Sequence, residues 1–294
     1  MVSSGVWAGE ISLDRAHNLQ AILDEKESMK DALGRIGFLG KTPASFESNP
    51  IAAHFELHIE QGPILEAESR KVGIVQGVQA YRWYNIEVLG QDCHTGTTPF
   101  NRRADAMLTA AECILHSHRT AVKLGGLAST GVIKAEPGST NTVPGFVRFS
   151  LDVRAPKDEI VQKMEETLME DFQAIAQKGF EGKGKPCDMK WTTDSVSSAT
   201  IFHKDCVSCV EASAKGIFGE DTERLTKLMT SGAGHDSVYT NKRVPTSMIF
   251  IPSKDGVSHN PTEYSTPEDC ALGAQVLLGA VVRYDRLRAE RTSS

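Results

Sequence analysis

Residues 54–60 read HFELHIE, and in an extended chain successive side chains point to opposite faces. His54, Glu56, His58 and Glu60 therefore share one face, and Phe55, Leu57 and Ile59 share the other. The apolar row is what a sheet buries. The row of two imidazoles and two carboxylates is either a solvated face or a place where one member ligates a metal at the strand end, because His and carboxylate are the ligands of zinc and similar ions. His259 is a second candidate. It sits in the polar loop GVSHNPTEYSTPED (256–269) after the apolar run VPTSMIFIP, and ligands gather beyond the carboxyl ends of strands in open α/β sheets. The stretch SGAGHDS (231–237) is either a tight turn or an anion site, since small residues let backbone N–H groups approach a negative group at a helix N-terminus. It is not a phosphate loop, because the GxxxxGK[ST] spacing is absent.

Further along, GQDCHTGTTPFNRRADA places His94 among Gly and Thr after a strand. Asn141 lies in PGSTNTVPG and Arg154 ends the following strand. Asn and Arg together could hold a carboxylate, Arg by a two-point fork; Arg154 alone would equally serve as a surface ion-pair residue. Cys206 and Cys209 form a single CxxC with His203 three residues before. With no second pair, ordinary helix packing is the expectation. No GxSxG elbow and no cysteine nucleophile motif is present, which leaves covalent Ser or Cys catalysis without support.

The elements that must position these residues follow from periodicity. Residues 11–36 read as one or two polar helices, 51–62 as a strand running into a loop, and 72–78 as another strand. From 80 to about 196 the order is β-α-β-β-α-β: RWYNIEVLG, a helix over 102–123, the strands LASTGVIKAE and GFVRFSLDVR joined by PGSTNTVPG, a helix over 157–178, and the strand CDMKWTTDSV. That is the split βαβ, ferredoxin-like pattern. The chain then returns to helix and strand: HKDCVSCVEASAKGIF, the apolar strand VPTSMIFIP, and a C-terminal helix opened by Pro267 after Thr266 as its N-cap. The expected organisation is an α/β domain made of 1–79 and 197–294, with 80–196 inserted, and a ligand cleft between such domains.

Composition bounds the partners. The chain has 294 residues, 32 Lys+Arg against 38 Asp+Glu, and a net charge of −6. Mild acidity argues against nucleic-acid binding through a broad basic surface. No apolar run of about 18 residues argues for a membrane span, and the start MVSSGVWAGE has no basic-then-apolar secretory pattern. Six scattered cysteines are no disulfide framework, so a reducing compartment, the cytoplasm, is expected.

Taken together, ELHIEQGPILE (56–66), GQDCHTGTTPFNRRADAM (90–107), PGSTNTVPG with LDVRAP (137–156), TSGAGHDS (230–237) and IPSKDGVSHNPTEYSTPED (251–269) resemble the zinc-dependent amidohydrolases of the M20 peptidase superfamily. The branch they resemble most holds the N-carbamoyl-amino-acid hydrolases, fungal-type β-ureidopropionases and allantoate amidohydrolases. The resemblance implies an α/β zinc-peptidase-like catalytic domain with the insert as lid and dimerisation surface, and hence a homodimer. It implies hydrolysis of the carbamoyl C–N bond of a small ureido acid at a site of two Zn2+, or Mn2+, ions. By position it implies His58 and His259 as metal ligands and Gln61 as a substrate contact beside the metals. His94 is implied as donor to the oxyanion, Asn141 and Arg154 as the carboxylate pair, and Gly234 as a backbone contact to that carboxylate. The family's first His, bridging Asp and Glu-Glu pair have no match before residue 58. The chain is therefore read as truncated at its N-terminus. Two ligands fall short of the three or four a zinc site takes, so weak metal binding and little hydrolysis are expected. A catalytically inactive paralogue and a dipeptidase of the same superfamily are the alternatives.

Overall fold

The structure, a computed structural model, describes residues 1–20, 27–179 and 182–293. Its strands are β1 (His54–Ile59), β2 (Val72–Val78), β3 (Ala80–Leu89), β4 (Cys93–His94), β5 (Leu127–Ser129), β6 (Ile133–Glu136), β7 (Thr142–Val143), β8 (Phe146–Ala155), β9 (Asp188–Ser197), β10 (Thr200–Ile201), β11 (Thr226–Ser231) and β12 (Thr246–Ile251). The chain divides into two compact units, Met1–Val78 with Thr200–Ser294, and Gln79–Ala199.

The first unit is a mixed sheet. β1 runs parallel to β12, β12 antiparallel to β2, and β2 parallel to β11, with β10 antiparallel to β2. All six residues of β12 are buried, as a strand covered on both faces requires. On one face Val72, Ile74 and Ile249 pack with Cys209, Val210, Ala214, Val276 and Ala280 from the helices Lys204–Phe218 and Pro267–Ser293. The apolar row of β1 joins this layer, with Phe55 edge-on to Tyr284 at 5.7 Å. On the other face Val75, Met248 and Phe250 pack with Leu65, Phe202, Met229 and Val238. Thr266 caps the C-terminal helix, its Oγ1 accepting from Asp269 N at 3.0 Å. Of the polar helices expected over 11–36, Leu13–His17 and Met29–Arg35 are helical, and 21–26 fall outside the described residues.

The second unit is the expected ferredoxin-like fold. β3 lies between β8 and β9, and β5 and β6 both pair with β8, all antiparallel. Helices Ala106–Leu124 and Asp158–Lys178 bury Cys113, Met164, Leu168 and Phe172 against Ile86, Val88, Phe149 and Leu151. Two details differ from the sequence reading. The strand expected over LASTGVIKAE is broken after Ser129, because Ser150 Oγ on β8 accepts from Gly131 N (3.2 Å) and Val132 N (3.0 Å) and replaces ladder bonds there. The segment PGSTNTVPG also contains a strand, β7, which pairs with β4. The first helix opens at Ala106 behind the Asp105 cap and ends at Gly125, whose φ of 76° suits glycine.

Among the described residues no helix is long and apolar enough to cross a membrane. All six cysteines are free. Cys206 and Cys209 are buried in the helix layer of the first unit, and burial pushes the Cys206 thiol up to about 12. The CxxC is packing, and His203 acts as a cap, its Nδ1 accepting from Asp205 N at 3.3 Å.

Candidate metal centre and its loops

Alternation on β1 puts His54, Glu56 and His58 on the face away from Tyr284, all partly buried. Glu60 lies beyond the strand and has a structural task. Its carboxylate accepts from Ile64 N (2.9 Å) and Leu65 N (2.7 Å), satisfying the open N–H groups of the helix Ile64–Ala67.

The candidate partner of the β1 row comes from the Gly-rich turn after β11. His235, 3% exposed, meets His58 edge to face with ring centroids 4.6 Å apart, and Phe250 packs against both rings. One oxygen or nitrogen from each of Glu56, His58 and His235 lies within 4.8 Å of the others. It is the one group of three or more His, Cys, Asp or Glu of that kind among the described residues. Glu56 Oε1 stands 3.8 Å from His235 Nδ1.

Protonation suits a cation. Burial raises the Glu56 pKa, but His54 at 3.6 Å, two hydrogen bonds from Ser237 (Oγ 2.6 Å, N 3.0 Å) and His235 outweigh it and bring it down to about 2. Burial, with His58 beside it, brings His235 down to about 4, so its imidazole is neutral at pH 7. His58 Nδ1 lies 2.7 Å from the Ile59 carbonyl and must donate to it, which leaves the lone pair on Nε2. Ser231 Oγ donates to the Ala233 carbonyl at 3.0 Å and so can accept from His235 Nε2 at 2.8 Å, leaving the His235 lone pair on Nδ1, toward Glu56. One carboxylate and two imidazoles are a donor set of the kind that holds zinc with an open position.

The sequence marked Glu56 and His58 but passed over His235, because the turn was read for its glycines. The signal available was a His just before an Asp that opens a helix (Asp236–Thr240); nothing in the sequence says that its ring turns inward.

The loops after β1 and β12 meet at the same end of the sheet, as their parallel register demands. Gln61 N donates to Ser253 Oγ (3.1 Å) and Gln61 Nε2 to Ser258 Oγ (2.9 Å). Gly256 (φ 65°) faces Pro63 so closely that a Cβ there would lie 2.8 Å from the ring. Gln61 and His259 both take positive φ, 59° and 56°, a cost of about 1–3 kcal/mol that surrounding structure must hold. His259 is exposed and is not in the three-residue group. Gly234 lies in the turn just before His235.

In the second unit, β4 and β7 pair His94 with Thr142, and Thr95 N donates to the Asn141 carbonyl at 3.0 Å, so His94 and Asn141 are held in adjacent loops. The amides of Gly96 (3.1 Å) and Thr97 (3.2 Å) both donate to His94 Nδ1, so neutral His94 carries its proton on Nε2, as a donor. Arg154 forks onto Asp152, with contacts of 2.7–3.1 Å, and stacks over Tyr81 at 5.4 Å.

Comparison with known proteins agrees on one family. The model of peptidase family M20/M25/M40 matches residues 17–283. The N-carbamoyl-L-amino-acid amidohydrolase of Rhizobium meliloti is 34% identical over 287 residues, covering 96% of this chain and 65% of that protein. The allantoate amidohydrolase of Escherichia coli K12 is 31% identical over 264 residues, covering 88% of this chain and 61% of that protein. The crystal structure of an amidase of the hydantoinase/carbamoylase family from Burkholderia multivorans superposes with a TM-score of 0.82 at 36% identity, covering 96% of this chain and 66% of that one. The chain thus spans about two thirds or less of the length of these relatives.

Proposed function

The chain belongs to peptidase family M20/M25/M40, and from that premise we propose that the protein is a metal-dependent amidohydrolase. Its substrate would be a small ureido acid, either an N-carbamoyl amino acid or an allantoate-like compound, cleaved at the carbamoyl C–N bond. The observation that carries the reading is the convergence of Glu56, His58 and His235 on one face of β1, in a chain whose relatives are named for carbamoyl-amino-acid and allantoate amidohydrolysis.

His58 would hold the metal, Zn2+ or Mn2+, with Glu56 and His235 beside it and His259 as the further ligand the resemblance supplies. A cation so held polarises a carbonyl and lowers the pKa of bound water toward neutrality. The remaining work falls to the chain's own groups. His94, with its proton on Nε2, is suited to donate to an oxyanion as it develops. Arg154 and Asn141 supply donors for the substrate carboxylate, Gly234 a backbone contact to it, and Gln61 an amide. The proposal includes a homodimer built through the second unit and a cytoplasmic setting, which six free cysteines suit.

The test is ammonia release from N-carbamoyl-β-alanine, N-carbamoyl-L-amino acids and allantoate by protein loaded with zinc or manganese. Release that disappears in His58→Ala supports the proposal; no release from any of the three overturns it. One observation favours a second reading, binding of ureido acids without turnover. Glu56 is itself one of the three candidate ligands, and no further carboxylate joins that group among the described residues to serve as general base. Calorimetric binding with no ammonia release would favour that reading.

A further inference from the structure

Gln61, Ser258, Glu263 and His259 form one hydrogen-bonded relay, and its polarity can be read from its end. Ser258 Oγ lies 2.9 Å from Glu263 Oε2, and His259 N donates to the same oxygen at 3.1 Å. An ionised carboxylate accepts and does not donate, so the Ser258 proton is committed to Glu263. Ser258 Oγ must therefore accept from Gln61, 2.9 Å away, and the end of the Gln61 amide facing Ser258 is the NH2. The carbonyl Oε1 is left with no hydrogen-bond partner among the described residues. The backbone of Gln61 is fixed as well, by Ser253 and by its positive φ.

We infer that Glu263, acting through Ser258, is a positioning residue that turns the Gln61 amide so that its carbonyl meets the substrate, which makes this position select a ligand carrying an N–H donor. The inference rests on the ureido-acid reading and sharpens it. A carbamoyl group ends in NH2 and can donate to Gln61 Oε1; an acyl group of the same shape ends in CH3 and cannot. Leaving a polar group unpaired in a site discriminates more strongly than adding or removing an apolar contact. The same Glu263 oxygen holds the backbone of His259, so one carboxylate sets both loops.

The experiment uses the full chain and isothermal titration with the N-carbamoyl and N-acetyl derivatives of β-alanine and of L-alanine. The wild type is expected to prefer the carbamoyl member of a pair by about tenfold. Ser258→Ala and Glu263→Ala free the amide to rotate, and the preference is expected to fall to about threefold or less. Glu263→Gln keeps an acceptor oxygen at this place and is expected to restore most of the preference. A merely structural role would weaken both ligands together and leave the ratio unchanged; that result overturns the inference while the ureido-acid reading stands. If the wild type binds none of the four ligands, the ureido-acid reading fails, and the relay is judged by NMR of the unliganded chain. The Gln61 side-chain amide, identified by its loss in Gln61→Glu, is expected to show a hydrogen-bonded NH2 signal that moves in Ser258→Ala. An unmoved signal overturns the relay itself.

Discussion

His58 and His235 stand edge to face at 4.6 Å, one from the edge strand β1 and the other from the turn that follows β11. The contact joins an element fixed by sheet pairing to one fixed by a Gly-rich turn. The Ile59 carbonyl and Ser231 leave one lone pair on each imidazole, and that of His235, on Nδ1, stands 3.8 Å from Glu56 Oε1. Zinc bonds to nitrogen are about 2.0–2.1 Å long, so the 3.8 Å between Glu56 Oε1 and His235 Nδ1 closes on a cation with a small side-chain adjustment. His58→Ala is expected to weaken zinc binding at least tenfold, read by competition with a chromogenic chelator. Ser231→Ala, which releases the tautomer of His235 without removing a ligand, is expected to cost about tenfold. Unchanged affinity in both variants would remove this group as a metal centre.

The same burial makes the metal-free protein sensitive to acid. His235 titrates near 6.5 when unfolded and at about 4 when folded. The unfolded state therefore takes up its proton first, and stability present above pH 6.5 is lost as pH falls through about 4. Glu56 is depressed from 4.5 to about 2, so its contribution is lost lower, between those values. Each shift corresponds to about 3 kcal/mol, and because the two groups share one contact they do not add. Urea unfolding of chelator-treated protein is expected to show stability falling by about 2–3 kcal/mol from pH 7 to pH 4. In His235→Asn the fall over that window is expected to be much smaller; an equal fall would place the acid sensitivity elsewhere.

Periodicity made the ferredoxin-like unit legible, because its strands alternate and its two long helices keep helical spacing. The break at residues 130–132 was not legible, because it depends on Ser150 of another strand. At the site, β1 announced Glu56 and His58 through period-two spacing. Glu60 shared that spacing, yet the strand stops at Ile59 and its carboxylate turns to a helix end. His235 and the Glu263 relay depend on which way loops fold over a sheet, and no local pattern encodes that direction.

Glu60 offers a stability test separate from metal binding. It is buried, and it accepts two backbone N–H groups of the helix Ile64–Ala67. Charge-assisted bonds of this kind are worth about 1.5–3 kcal/mol, and removing the acceptor strands the donors. Glu60→Ala is expected to destabilise the chain by about 2 kcal/mol in urea. A loss below about 0.5 kcal/mol would show the helix end to be satisfied by water instead.

The cysteines test the packing reading of the CxxC. Thiolate is the reactive form, and burial suppresses it. Cys113 and Cys206 are fully buried and pushed up to about 12, whereas Cys270 is exposed. Native alkylation followed by peptide mass spectrometry is expected to label Cys270 first, with Cys206 and Cys209 modified only after unfolding. Early modification of that pair would mean that the helix layer opens.

Arg154 is the point at which an ion-pair reading and a carboxylate-binding reading of one residue make different predictions. Its guanidinium forks onto Asp152, two residues away on the same face of β8, and lies over the Tyr81 ring from the neighbouring strand. The pair is half-buried, so its net worth is about 1 kcal/mol. If holding Asp152 is all that Arg154 does, Arg154→Lys costs about that much stability and leaves ligand binding untouched. If the planar fork also receives a ligand carboxylate, a point charge cannot replace it. Arg154→Lys is then expected to weaken binding of N-carbamoyl-β-alanine about tenfold while leaving binding of the uncharged N-carbamoyl-β-alaninamide within about twofold. Calorimetry with the acid and its amide reads the difference directly, and equal losses for both ligands would return Arg154 to the role of a structural ion pair.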